Sequence, residues 1–82
     1  QKWYALIMKI PCQKLNLVGR GMVDVINIKL PPEQIQSLID NKHYFSAYHM
    51  NKKYWLTVLL DQNTDMSQLK TLIQTSYHLV EK

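Results

Sequence analysis

Hydrophobic residues follow two different spacings along the chain. Residues 2–10 (KWYALIMKI) are apolar at both odd and even positions, which predicts a central β-strand that ends at Pro11. Residues 22–30 (MVDVINIKL) carry one apolar face, while the opposite face becomes polar towards its end. This pattern predicts a half-buried strand. Asn27 is expected to lie exposed to solvent near the strand end, and it would need a hydrogen-bond partner if it were buried.

Two further strands are predicted in the second half of the chain. YFSAYHM (44–50) and KYWLTVLLD (53–61) are rich in aromatic and β-branched residues. Asparagine tolerates a positive φ angle, so Asn51 and Lys52 are predicted to form a two-residue hairpin turn between these strands.

Two segments have helical spacing. PPEQIQSLIDNK (31–42) predicts a helix with Pro32 in the first turn and Asn41 as the C-terminal stop. DMSQLKTLIQTSYHLVEK (65–82) predicts a longer helix, with Asp65 and Gln68 as a capping box and Thr64 as a competing cap. The predicted buried stripe of this helix consists of Met66, Leu69, Leu72, Ile73, Tyr77 and Val80.

The predicted order of elements is therefore β-β-α-β-β-α within a single domain, residues 1–82. Strand pairs that alternate with one-sided apolar helices indicate an α+β fold, an antiparallel sheet with helices packed on it. The chain begins with Gln1 and enters a strand at once. From this we expect an N-terminally incomplete fragment of a longer protein.

The charge is concentrated at one end of the chain. The net charge is +4, and residues 1–20 hold four basic residues and no acidic one, whereas residues 21–82 hold six of each. This bias favours a polyanionic partner, although it also serves solubility. A single cysteine, Cys12, and the lack of a long apolar run predict a cytoplasmic domain that does not enter a membrane.

The sequence suggests no catalytic chemistry. Cys12 and the three histidines show no metal-ligand spacing, and no nucleophile is followed by a base at a recognisable distance. We therefore expect a non-enzymatic domain without a metal or cofactor.

Several segments resemble one known family. YHMNKKYWLTVLLD (48–61), LIQTSYHLV (72–80) and MVDVINIKLPPEQIQSL (22–38) are similar to characteristic segments of the MmcQ/YjbR family. The resemblance implies an α+β fold like that of secretion chaperones. It also implies that the family's N-terminal helix and first strand are missing here. Members of the family are commonly labelled DNA-binding.

Two functions are compatible with these residues. The first is weak, sequence-independent DNA binding by projecting basic hairpins, through Lys14, Arg20, Lys52, Lys53 and His49. In the second, the lysines only keep a structural hairpin soluble, and the domain binds a protein partner or a second copy through the edge of its first strand. Exposure of Trp3 and Tyr4 along that edge would favour the protein partner.

Overall fold

The structure is a computed structural model that describes residues 5–81. Its four strands and two α-helices follow the predicted β-β-α-β-β-α order, so the α+β fold class is confirmed. A short 3-10 helix, Cys12–Leu15, lies between the first two strands. The elements are β1 (Ala5–Pro11), β2 (Met22–Lys29), α1 (Pro32–Leu38), β3 (Tyr44–Ser46), β4 (Trp55–Leu60) and α2 (Met66–Glu81).

The four strands form one antiparallel sheet in the order β1-β2-β4-β3. Among the described residues β1 is thus an edge strand, and its predicted central position is wrong. The side chain of Ile7 in β1 is 69% exposed, which fits an edge. β1 carries apolar residues on both faces although it is an edge strand. Helices cover one face of the sheet and connecting loops cover the other, so both faces of β1 have apolar neighbours. Trp3 and Tyr4 lie outside the described residues.

Both faces of the sheet are covered. On the helix face, Ile28, Leu56 and Val58 pack with residues of α1 and α2. On the opposite face, which we call the loop face, Val25 and Phe45 pack with residues from connecting loops. The half-buried character predicted for β2 is therefore wrong, because β2 lies between two separate hydrophobic cores.

Helix α2 begins as predicted. The carboxylate of Asp65 accepts a hydrogen bond from the backbone N–H of Gln68 at 3.0 Å. The Gln68 side chain does not complete the capping box; its Oε1 accepts a hydrogen bond from the Tyr44 hydroxyl at 2.7 Å. The helix is thereby capped at its start and tied to β3 one turn later.

The buried stripe of α2 differs in part from the prediction. Leu69 and Leu72 are buried, but Met66 and Tyr77 are 58% and 47% exposed. Ser76 is fully buried in their place. Ser76 stands seven residues after Leu69 and therefore on the same side of the helix, so the face towards the sheet is set by helical geometry rather than by apolarity.

Helix α1 ends at Leu38, three residues before the predicted stop at Asn41. The carboxylate of Asp40 ends it by accepting hydrogen bonds from the backbone N–H groups of residues 42–44 at 2.9 to 3.0 Å. Aspartate competes with helix formation in this way. Burial raises the pKa of Asp40, but these three N–H groups outweigh it, and the pKa lies below the ordinary 3.8.

A second carboxylate fixes the end of β4. Asp61 accepts a hydrogen bond from the backbone N–H of Asn63 at 2.8 Å, and its Oδ1 lies 3.2 Å from Nε2 of His43. The Asn63 N–H lowers the pKa of Asp61 most strongly. Burial opposes this shift, while the hydrogen bond and charge of His43 reinforce it.

These two shifts predict acid destabilisation. A carboxylate with a lowered pKa stabilises the fold above its unfolded value of 3.8, and this stabilisation is lost as the pH falls through the folded value. The melting temperature should therefore fall as the pH drops below about 4. In Asp40→Asn/Asp61→Asn it should be lower at neutral pH and decline less steeply with acid. Thermal melts followed by circular dichroism measure both.

Asp24→Asn is the matched control for this experiment. Asp24 lies on the surface, 3.2 Å from Nζ of Lys9, and exposed ion pairs contribute little. An acid profile of the double variant that matches those of the wild type and Asp24→Asn would contradict the assignment.

Candidate functional site

Two long connections carry the five predicted site residues. The first loop, residues 12–21, leaves the sheet beside the Asp24–Leu60 pair, and the second loop, residues 47–54, leaves it beside the Lys29–Trp55 pair. The loops thus start from opposite ends of the sheet. Both fold back over the loop face, where Leu15 and Tyr48 pack in the same hydrophobic cluster.

The first loop is closed at its base by Cys12. The backbone N–H of Cys12 donates to the carbonyl of Gly21 at 3.0 Å, and the Cys12 thiol donates to the carbonyl of Gly19 at 3.2 Å. The Cys12 side chain is buried. Asn16 follows the 3-10 helix with a φ of 60°, a left-handed conformation that asparagine adopts more readily than most residues.

The second loop does not contain the predicted two-residue turn. β3 ends at Ser46, and the chain needs eight residues to reach β4. The carbonyl of Asn51 accepts hydrogen bonds from the N–H groups of Tyr54 and Trp55 at 3.1 and 3.0 Å. The side chain of Asn51 also accepts one from the N–H of Lys53 at 2.9 Å. Asn51 therefore organises a broad turn.

A buried polar pair anchors the start of the second loop. Asn27 of β2 and Thr57 of β4 are direct cross-strand neighbours, and both are fully buried. The Thr57 hydroxyl donates to Oδ1 of Asn27 at 2.5 Å and accepts from the N–H of Tyr48 at 2.9 Å. Asn27 Nδ2 donates to the carbonyl of Tyr48 at 3.1 Å. The predicted solvent exposure of Asn27 is wrong, because this loop covers it.

Lys14 and Lys52 meet at one cleft between the two loops. The cleft has a volume of about 180 Å³, and none of its lining residues is acidic. Nζ of Lys52 donates to the carbonyl of Ala47 at 2.5 Å, which holds the ammonium group near the cleft wall. The lining residues are Lys14, Leu15, Asn16, Asn41, Phe45, Ser46, Ala47, Tyr48 and Lys52.

The other three predicted residues do not line this cleft. Lys53 places its ammonium 5.5 Å from the centre of the Tyr54 ring. His49 contacts the ring of Tyr48 edge-on at 4.1 Å between centres. Arg20 is exposed between Gly19 and Gly21, both with positive φ. The structure therefore brings together two of the five residues.

Sequence reasoning missed the neutral polar residues of the cleft, Asn16, Asn41 and Ser46. Both asparagines have a φ of 60°. Asn41 is the predicted end of a helix, which is a signal for such a turn, but no predicted element points to Asn16. Neither asparagine reveals that two turns distant in sequence share a cleft.

Residues 5–81 offer neither a metal site nor a membrane-spanning helix. They hold no group of three or more His, Cys, Asp or Glu side chains placed to bind a metal ion. No helix in the same range has both the length and the apolarity needed to cross a bilayer.

The architecture defines a small α+β domain with a four-stranded antiparallel sheet and a cationic cleft on its loop face. The YjbR family model matches residues 1–79, and the chain belongs to this family, which confirms the resemblance to MmcQ/YjbR proteins.

Two relatives and two solved structures are similar to the chain. The uncharacterized protein YyaQ of Bacillus subtilis is 36% identical over 81 residues, which are 99% of this chain and 69% of YyaQ. The uncharacterized protein YbdF of Escherichia coli O157:H7 is 38% identical over 61 residues, 71% of this chain and 48% of YbdF.

The solved structures come from Pseudomonas syringae and are 44% identical to the chain. The crystal structure has a TM-score of 0.89, and the match covers 95% of this chain and 67% of the other. The solution NMR structure has a TM-score of 0.81 and covers 95% and 62%. At this identity the shared fold follows from common family membership.

The Asn27–Thr57 pair predicts a strong effect of one small change. Thr57→Val preserves shape but leaves Oδ1 of Asn27 and the N–H of Tyr48 without their hydroxyl partner. Each unsatisfied buried group costs about 1–3 kcal/mol. Urea denaturation should therefore show a loss of at least that size, with faster amide exchange at Tyr48.

Thr71→Val provides the control, because its hydroxyl donates to the Ser67 carbonyl on the exposed side of α2. Its effect should stay within about 0.5 kcal/mol. Equal losses in the two variants would show that the Thr57 hydroxyl does not anchor the loop.

Proposed function

We propose that the domain binds nucleic acid weakly and without sequence preference, through the phosphates that reach its two basic loops. Lys14 and Lys52 form the centre of this surface, and Arg20, Lys53 and His49 extend it. The proposal assigns no catalytic step to the chain.

The observation that carries the proposal is the convergence of Lys14 and Lys52 on one cleft without an acidic lining residue. Cationic side chains without local counter-charges attract phosphates, and proteins that bind nucleic acid backbones use lysine and arginine in this way. The excess of basic residues in the first 20 positions supports the same assignment.

The small number of cations determines the strength of binding. Each phosphate contact contributes a salt slope of about −0.9 on duplex DNA. The chain has a single arginine, so the bidentate contacts that most often read guanine are nearly absent from its composition. We therefore expect weak binding that does not distinguish base sequences.

Salt dependence tests the proposal. With two phosphate contacts, the Kd for a labelled duplex should rise about tenfold between about 50 and about 200 mM salt. Lys14→Met and Lys52→Met should each weaken binding and reduce the salt slope by about 0.9. Fluorescence anisotropy measures both quantities, and circular dichroism checks that the variants fold.

Lys70→Met is the control of equal charge. Lys70 is exposed on α2, the helix that covers the opposite face of the sheet. Its affinity and salt slope should match those of the wild type. Absence of binding at low salt, or equal losses in all three variants, would contradict the proposal.

A second candidate function is supported by β1. We infer that a strand from a protein partner or a second copy pairs with this edge, because β1 has one neighbour in the described sheet and Ile7 is 69% exposed. Edge strands with exposed apolar side chains favour such pairing.

A lysine substitution in β1 tests this second candidate function. Self-association seen by sedimentation velocity should be lost in Ile7→Lys, because an edge lysine opposes strand pairing. Val18→Lys places the same charge on a fully exposed apolar residue of the first loop and should retain association. A wild type that stays monomeric at every concentration would exclude pairing between copies.

A further inference from the structure

Lys52 differs from an ordinary surface lysine. Its Nζ donates to the carbonyl of Ala47, a fully buried residue, at 2.5 Å. Only one of the three N–H groups of the ammonium is used by this bond. Because folding already restricts the side chain, an anion in the cleft meets a charge that is held in place.

Lys14 adds a second positive charge to the same cleft. Among residues 5–81, Lys9 pairs with Asp24, and Nε2 of His43 lies 3.2 Å from Oδ1 of Asp61, so neither carboxylate contact involves a lysine of the cleft. Both charges therefore lack a carboxylate partner within the described part of the chain.

The remaining polar lining is neutral. Asn16 and Asn41 carry amide groups on turns with a φ of 60°, and Ser46 carries a hydroxyl. Amides and hydroxyls donate hydrogen bonds to phosphate oxygens without adding negative charge. Two cations and three neutral donors suit an anion with several acceptor oxygens.

The size of the cleft limits the class of ligand that it can bind. Sites for drug-sized molecules enclose about 300–1,000 Å³, whereas this cleft holds about 180 Å³. It therefore accommodates one anionic group rather than a whole nucleotide. An internal phosphodiester has one charge and two ester links that must both leave the cleft. A phosphate monoester has up to two charges and one link.

We propose that the cleft between Lys14 and Lys52 is a binding site for a phosphate monoester. The monoester is either a free small molecule or the phosphorylated end of a nucleic acid strand. This inference goes beyond binding to a nucleic acid backbone, because it holds even if internal phosphates are not bound.

Methyl phosphate and dimethyl phosphate test the inference as a matched pair. In ¹H–¹⁵N correlation spectra, methyl phosphate should shift the amides of Asn16, Ser46 and Ala47 saturably. Its Kd should be at least about tenfold lower than that of dimethyl phosphate, because the second charge adds charge-assisted hydrogen bonds. Equal affinities, or shifts spread over the whole surface, would overturn the inference.

One lysine of the cleft and one lysine on the opposite face of the sheet supply the variants. Lys52→Met should abolish the saturable shifts, whereas Lys70→Met removes the same charge from the exposed surface of α2 and should retain them. The spectra also report whether each variant is folded. Equal losses in both variants would indicate general charge attraction and overturn the inference.

A last comparison distinguishes the two sources. A single-stranded oligonucleotide with a 5′-phosphate that binds at least about tenfold tighter than thymidine 5′-monophosphate would assign the site to strand ends. Equal affinities would assign it to a free monoester. In a third outcome, 5′-hydroxyl oligonucleotides bind as well as phosphorylated ones and methyl phosphate does not bind. That result would support binding of the nucleic acid backbone and overturn the monoester site.

Discussion

The geometry of the site depends on the hydrogen bonds that Asn27 and Thr57 make with the backbone of Tyr48. These side chains satisfy both the N–H and the carbonyl of one half-buried loop residue. Tyr48 follows Ala47, whose carbonyl holds the ammonium of Lys52. The Asn27–Thr57 pair thus fixes Tyr48 and, through the adjacent Ala47, the position of the Lys52 ammonium group.

The need for a polar pair follows from what covers each face of the sheet. Helices satisfy their own backbone groups, so α1 and α2 can pack on the apolar strand residues Ile28, Leu56 and Val58. An irregular loop has unpaired N–H and carbonyl groups, and burying them without partners costs about 1–3 kcal/mol each. Asn27 and Thr57 provide those partners on the loop face, next to Val25 and Phe45. Asn27 and Thr57 are buried because loops, and not helices, cover this face of the sheet.

Local sequence signals were sufficient to predict the strands and helices, but not which of their side chains would be buried. Proline at the start of α1, the Asp65 cap and the apolar spacing predicted the order and type of every strand and α-helix. The same signals placed Asn27 in solvent and Tyr77 in the core. Periodicity reports which residues share a face, whereas burial depends on what packs against that face. The cleft shows the same limit, because its two lysines are 38 positions apart.

The cleft joins two loops that are anchored separately. The first is closed by Cys12 on the carbonyls of Gly19 and Gly21, and the second is held by the Asn27–Thr57 pair. Each loop contributes one lysine, so like charges line the contact between the loops. An anion bound between them would offset their repulsion. Because a ligand that binds only the folded form stabilises it, occupancy of the cleft and packing of the loop face reinforce each other.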